Sequence, residues 1–345
     1  MSRLKFTVSL LVMGVLGCQS SPQQSPFEMQ TTSHLSQAVY EVEFEFARSL
    51  YQQAEQLNQQ FELYCQSPSE QGAQHLKTQW QMTMASWMAL QGQERGPLNA
   101  LEQSWNIQFW PDKKNTTGLK MSALLKQSTV PTVNQLATQS VTVQGLGALE
   151  WLLYEPQVQL HSDPQACQLG EAVAQNLLNK AQIIASAWQK NPWITLDKAS
   201  WYAEYIALLS NQLEFSMSKL TRPLGNIGHP RPYFAESWRS KSSMLNLKAN
   251  LQAIEQLYLA QRGGLDSLLR ERGRSDLADR VKNQLRATIE TWPTQESLFD
   301  LLATKQGYQQ VLAQYNKLEQ LKYLIHQEVA VELEVVIGFN ATDGD

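Results

Sequence analysis

One carboxylate stands inside an otherwise apolar run, Gln144-Gly145-Leu146-Gly147-Ala148-Leu149-Glu150-Trp151-Leu152-Leu153. A buried glutamate must be paired, protonated or bound to a cation, because an isolated charge in low dielectric is too costly. Arg239, in Trp238-Arg239-Ser240-Lys241-Ser242, is the partner that would make Glu150 structural; without such a pair Glu150 is a ligand. Other chemistries lack their residues. No H-E-x-x-H is present to hold zinc on one helix face, no G-x-S-x-G elbow to present a serine, and no glycine loop to cradle phosphate. The five histidines, His34, His75, His161, His229 and His326, are far apart in sequence and read as surface or locally satisfied groups. Glu41, Glu43 and Glu45 form a charge run. Glu41 and Glu45 share a helix face and offer hard oxygens, although a solvated face is the simpler reading. Trp80, Trp87, Trp105 and Trp110 carry large apolar area suited to a core or a cleft wall, and Asp112 follows a Trp-Pro turn where it can cap the next segment.

The elements that must position these residues are helices. Leu35, Val39, Val42, Phe46, Leu50, Leu57, Phe61 and Tyr64 step by threes, fours and one seven, and so share one stripe of a long helix. The same period runs through Leu76, Trp80, Trp87 and Leu90, through Val173, Leu177, Ile184 and Trp188, and through Trp201, Tyr205 and Leu208. It returns at Met244, Leu247, Leu251, Ile254 and Tyr258, and at Val311, Tyr315, Leu318, Leu321 and Ile325. The spacing predicts an all-α helix-bundle fold. Breakers divide the helices at Ser67-Pro68, Gly96-Pro97, Trp110-Pro111, Val130-Pro131, Asn191-Pro192, residues 222–232 and Trp292-Pro293. Val329, Val331, Leu333 and Val335 alternate like a strand but continue a helical pattern, and are read as a buried helix end.

Arg3 and Lys5, the apolar run from Phe6 to Leu16, and Gly17 before Cys18 form a secretory signal too short to span a membrane. Val15-Leu16-Gly17-Cys18 resembles a bacterial lipobox, which predicts cleavage after residue 17 and acylation of Cys18 with palmitate-type chains. Several acyl chains on one residue anchor stably where one would not. Gln19 stands where an aspartate would signal inner-membrane retention, so the expected location is the outer membrane, facing the periplasm, with membrane lipid as a partner. The polar stretch that follows reads as a tether over residues 18–32. Without the first 17 residues, 26 basic residues face 32 acidic ones for a net charge of −6, which disfavours a nucleic-acid partner. Acylation of Cys18 leaves only Cys65 and Cys167, in a compartment where thiols oxidise, and a disulfide between them is expected.

Trp87, Gly96-Pro97, Phe109-Trp110-Pro111-Asp112, Gly145 through Leu153, Trp238-Arg239-Ser240, Asn250-Leu251, and the ending Gly338-Phe339-Asn340-Ala341-Thr342-Asp343-Gly344-Asp345 stand in this order along the chain. Together they resemble the imelysin-like proteins, in their branch of periplasmic lipoproteins. The resemblance spans nearly the whole mature chain. It implies two helical-bundle halves, here 33–190 and 191–345, with a site in the cleft between them near a G-x-H-x-x-E motif. Gly145 and Glu150 match that motif, but Gly147 stands where its histidine belongs. The missing imidazole removes a base and a metal ligand together, and so weakens an implied peptidase activity more than an implied binding role.

The resulting expectation is a non-catalytic, lipid-anchored binding protein linked to iron or metal acquisition, with a structural envelope protein that binds another protein as the alternative. A metallopeptidase is the third reading. Glu150, Arg239, Trp87, Trp110 and Asp112 are the expected ligand-binding residues, with Glu150 the expected metal ligand. A bare cation here would be a hard ion such as iron(III), and an inward-pointing Arg239 would favour an anion or a chelated metal. Asp343 and Asp345 are terminal acids that the resemblance places against the fold.

Overall fold

The structure, a computed structural model, describes residues 26–294 and 297–335. All of its regular elements are helices. Ten carry the architecture: α1 (Gln37–Gln66), α2 (Glu70–Met88), α3 (Thr116–Leu125), α4 (Gly145–Tyr154), α5 (Pro164–Ala187), α6 (Lys198–Leu224), α7 (Ser243–Leu259), α8 (Leu265–Glu271), α9 (Ser275–Glu290) and α10 (Lys305–Tyr323). The last continues through a π-helical turn, Leu324–Val329, so the stretch that alternates like a strand is helical as far as Glu332. Among the described residues no helix is long and apolar enough to cross a membrane.

The helices begin where side chains satisfy the free N–H groups of a first turn. Ser69, Asp163, Asp197 and Thr304 accept from Gly72, Gln165, Ser200 and Gly307 respectively, and Pro164 follows its cap at a position that needs no N–H. The breakers fall between helices with one exception: α6 runs past Arg222 and includes Pro223 in its final turn. Pro223 has no N–H to give to the Lys219 carbonyl, and its own carbonyl, in the last turn, accepts from Arg231 N–H at 2.7 Å.

The inward stripes are as the periodicity predicts. Val39, Val42, Phe46, Leu50, Leu57, Phe61 and Tyr64 of α1 are buried, as are Met244, Leu247, Leu251, Ile254 and Tyr258 of α7. Each such side chain contributes roughly 1.5–3 kcal/mol of burial. Leu35 departs from its stripe: it precedes α1 and is exposed. Helix α1 packs on α2 and α5, with α4 against α5; α6 packs on α7 and α10, with α9 against α7 and α10. Contacts of α2 with α7 join the two sets.

Cys65 and Cys167 form a disulfide that ties the end of α1 to the start of α5, with Cα atoms 5.6 Å apart. Of the expected tether, the part from residue 26 lies on the fold: Phe27 is buried edge-to-face on Tyr51, and Gln30 N–H donates to Gln189 O. Cys18 and residues 338–345 lie outside the described residues.

Candidate functional site

Glycine opens α4 for a steric reason. Gly145 has φ +64°, and a Cβ there would lie 2.2 Å from Ile107 O, so no other residue fits. Trp80 Nε1 then donates to Leu146 O at 3.1 Å and fixes the first turn against α2. Gly147 is under no such constraint. Its nearest neighbour to a Cβ is Phe109 O at 4.0 Å, and the residue is partly open to solvent.

One turn on from Gly147, Glu150 is buried at 5% exposure. Its Oε1 accepts from Ser240 N–H at 2.9 Å and from Ser240 Oγ at 2.8 Å. Burial raises its carboxyl above the ordinary range, Ser240 and the more distant Arg239 oppose that, and Glu236 adds to it. Both hydrogen bonds that Glu150 accepts among the described residues arrive at Oε1. The loop that brings Ser240 here is shaped by left-handed residues, Ser237 at φ 50° and Lys241 at φ 60°.

Arg239, the partner that would have made Glu150 structural, makes no ion pair with it. Arg239 Nε instead meets Glu155 Oε2 at 2.9 Å, its Nη2 donates to Asn115 Oδ1, and its guanidinium covers the Trp238 ring at 4.3 Å. Asp112 takes its capping role: its two carboxylate oxygens accept from the N–H groups of Thr116 and Thr117. Trp87 and Trp110 are buried, and their indoles donate to Gln108 Oε1 and Phe234 O. Trp105, by contrast, is exposed.

The seam between the helix sets holds a polar cluster that sequence reading missed. Lys219 of α6 and Glu236 are each about 1% exposed and meet at 2.6 Å. Lys219 Nζ also donates to Gln91 Oε1 at 2.9 Å and Asn250 Oδ1 at 2.6 Å, while Glu236 accepts from Gln91, Gln108 and Asn246. Burial holds the Lys219 ammonium below its ordinary range, against the pull of Glu236. The network closes on itself, since Asn250 Nδ2 donates to Met88 O and Asn246 Oδ1 accepts from Gln81. The signal lay on α6, whose inward positions Trp201, Tyr205, Leu208, Gln212, Ser216, Lys219 and Pro223 turn from aromatic to polar while remaining buried.

The acidic run on α1 also divides. Glu45 pairs with Arg48 and Glu41 accepts from Gln37, but Glu43 is fully buried. Its Oε2 accepts from Trp193 Nε1 at 2.8 Å and its Oε1 has no partner among the described residues. Burial pushes this carboxyl up to about 8, against the Trp193 bond. Among the described residues no three His, Cys, Asp or Glu side chains are grouped to share a metal ion.

The family model for imelysin, peptidase M75, matches residues 44–325. The chain belongs to the imelysin family. Its matched region includes every residue of the α4 site and of the seam. Among solved structures, an imelysin-like protein from Psychrobacter arcticum 273-4 superposes at a TM-score of 0.74, with 19% identity, 90% of this chain and 99% of that one. A protein from Parabacteroides distasonis ATCC 8503 named as an iron-regulated protein A precursor superposes at 0.65, with 13% identity over 86% and 95% of the two chains. At these identities the two structures speak to the fold alone. No curated protein matches this imelysin chain.

Proposed function

We propose that this protein is a non-catalytic binding protein of the cell envelope that serves iron acquisition, and that its cargo is an iron chelate rather than a bare ion. The reading is carried by the α4 site: a buried Glu150 that no ion pair among the described residues neutralises, with both of its hydrogen bonds arriving at Oε1, one turn from the open position at Gly147. A hard cation needs several anionic oxygens, and one carboxyl raised by burial, with the Lys219 ammonium on the neighbouring seam, is a poor donor set for it. Replacing an imidazole by Gly147 removes a ligand and opens room, which suits a larger cargo that brings its own ligands. The same replacement removes the general base that hydrolysis would need. The iron link rests on the family and on the name of the Parabacteroides distasonis protein, an iron-regulated protein A precursor.

In this reading Cys18 carries the acyl chains, and the protein sits on the outer membrane facing the periplasm. The support is the order Val15-Leu16-Gly17-Cys18-Gln19. Labelling cells with a palmitate analogue tests it: the wild-type chain should take up label, and Cys18→Ala should not. Calorimetric titration of residues 19–345 with ferric citrate tests the cargo. Saturable heat that Glu150→Gln reduces supports the proposal, and no heat overturns it.

A structural envelope role is favoured by one observation. Tyr233, Trp238 and Phe299 form an aromatic cluster, with centroids 5.0–5.9 Å apart, and Tyr233 is 62% exposed. Such a patch is a natural protein contact. In that case Tyr233→Ala should abolish co-purification of an envelope partner while leaving calorimetry with ferric citrate silent for both proteins.

A further inference from the structure

A cavity lies between the start of α6 and the segment that follows α7. Its volume is about 420 Å³, and its lining includes Leu35, Lys198, Trp201, Tyr202, Arg262 and Arg272. Three features set it apart.

First, two cations share one ring. Lys198 Nζ lies 5.6 Å and the Arg272 guanidinium 5.8 Å from the centroid of the buried Tyr202 ring. A ring face attracts cations, so Tyr202 offsets part of the repulsion that would separate them. Arg272 is further fixed by a bond from Nη1 to Glu332 O at 2.8 Å.

Second, Arg262 is brought to the same cavity at the cost of backbone strain. Ala260, Gln261 and Arg262 have φ of 33°, 54° and 94°, three successive side-chain-bearing residues in the region that favours glycine. The segment is pressed on α1, since a Cβ at Gly263 would lie 2.4 Å from Ala38 Cβ. Strain of this kind persists where the surroundings over-determine it, and it clusters at ligand clamps.

Third, the charges do not cancel. Three cations face a single acid in the lining, Glu271. Asp197, beside Lys198, is occupied as the α6 cap by Ser200 N–H, and Asp266 is paired with Arg270. Lys198, Arg262 and Arg272 make no side-chain ion pair among the described residues. All three cations are exposed, so this local positive excess, on a chain of net charge −4, is open to an anion from outside the chain.

We propose that this cavity binds a phosphate-bearing anion, held by the forks of Arg262 and Arg272 and by the ammonium of Lys198. Phosphate offers several equivalent acceptor oxygens and more than one negative charge, which matches two guanidinium groups and an ammonium better than a single carboxylate does. The phosphate belongs either to a small soluble anion or to a lipid headgroup. The cavity is separate from the Glu150 site and does not depend on the reading given to it.

The test is calorimetric titration of the full chain in detergent with two probes, inorganic pyrophosphate and dioctanoyl phosphatidylglycerol. Lys198→Gln and Arg262→Gln are compared with wild type, after circular dichroism shows that each is folded. Saturable binding of pyrophosphate, roughly tenfold weaker in each variant and weakened by added salt, assigns the site to a free anion. The same pattern with the phosphatidylglycerol alone assigns it to a headgroup. Either result supports the proposal. Heat from neither probe overturns it, and so does binding that both variants retain unchanged.

Discussion

Replacing Glu43 by glutamine should change how stability depends on pH, because Glu43 titrates far from where an exposed carboxyl does. In the folded chain it is fully buried, with one hydrogen bond from Trp193 and a bare Oε1, and its pKa is raised from 4.5 to about 8. Between those values the folded state holds a proton that the unfolded chain has released. Stability from this group is therefore fully present below about 4.5 and is lost as pH rises through about 8. At 1.36 kcal/mol per pH unit, the loss between pH 5 and pH 8 comes to about 3 to 4 kcal/mol. Glu43→Gln keeps the shape and an acceptor for Trp193 but cannot ionise. Glu150 shifts in the same direction, so the slope of either protein alone does not isolate Glu43; the difference between them does. Urea unfolding across this pH range should show the variant gaining on wild type by that amount as pH rises. Parallel curves for the two proteins would refute the reasoning, since they would mean that Glu43 is solvated or paired.

Lys219→Met strands Glu236 as an unpaired buried charge and should cost ~3–5 kcal/mol in urea unfolding, while adding Glu236→Leu should recover most of it. Replacing Cys65 and Cys167 by serine opens a loop spanning 102 residues, and urea unfolding should register a loss of up to ~5 kcal/mol. The two motif glycines should separate sharply in thermal melts. Gly145→Ala meets Ile107 O and should destabilise by more than ~2 kcal/mol, whereas Gly147→His has room and should stay within ~1 kcal/mol of wild type. The same Gly147→His variant should bind zinc more tightly than wild type by calorimetry, because it restores an imidazole one turn from Glu150.

The helices were legible because burial imposes its period on the sequence, as the α1 and α7 stripes show. Glu150 was legible for the same reason: a lone carboxylate in an apolar run has to be explained. Its partner was not, because the choice between Arg239 and Ser240 is made by left-handed turns at Ser237 and Lys241 that carry no glycine to announce them. Glu43 was misread as part of a solvated run. Its spacing from Val39 and Phe46, four before and three after, places it on the inward stripe, which a reading of charge alone overlooks. Lys219 was hidden similarly, as a polar residue on a stripe whose polar turn coincides with the seam. Asp112 followed its local chemistry, as a cap after a Trp-Pro turn. Leu35 failed in the opposite sense: it fits the helical spacing but lies before the first helical residue, so the period did not bind it.

The central claim, that the site at Glu150 and Gly147 takes a chelated metal, is tested most directly by calorimetry of residues 19–345 with ferric citrate beside simple divalent ions. Saturable heat with ferric citrate alone, reduced in Glu150→Gln, is the predicted result. Tight stoichiometric binding of a bare ion, or silence with every probe, would contradict it.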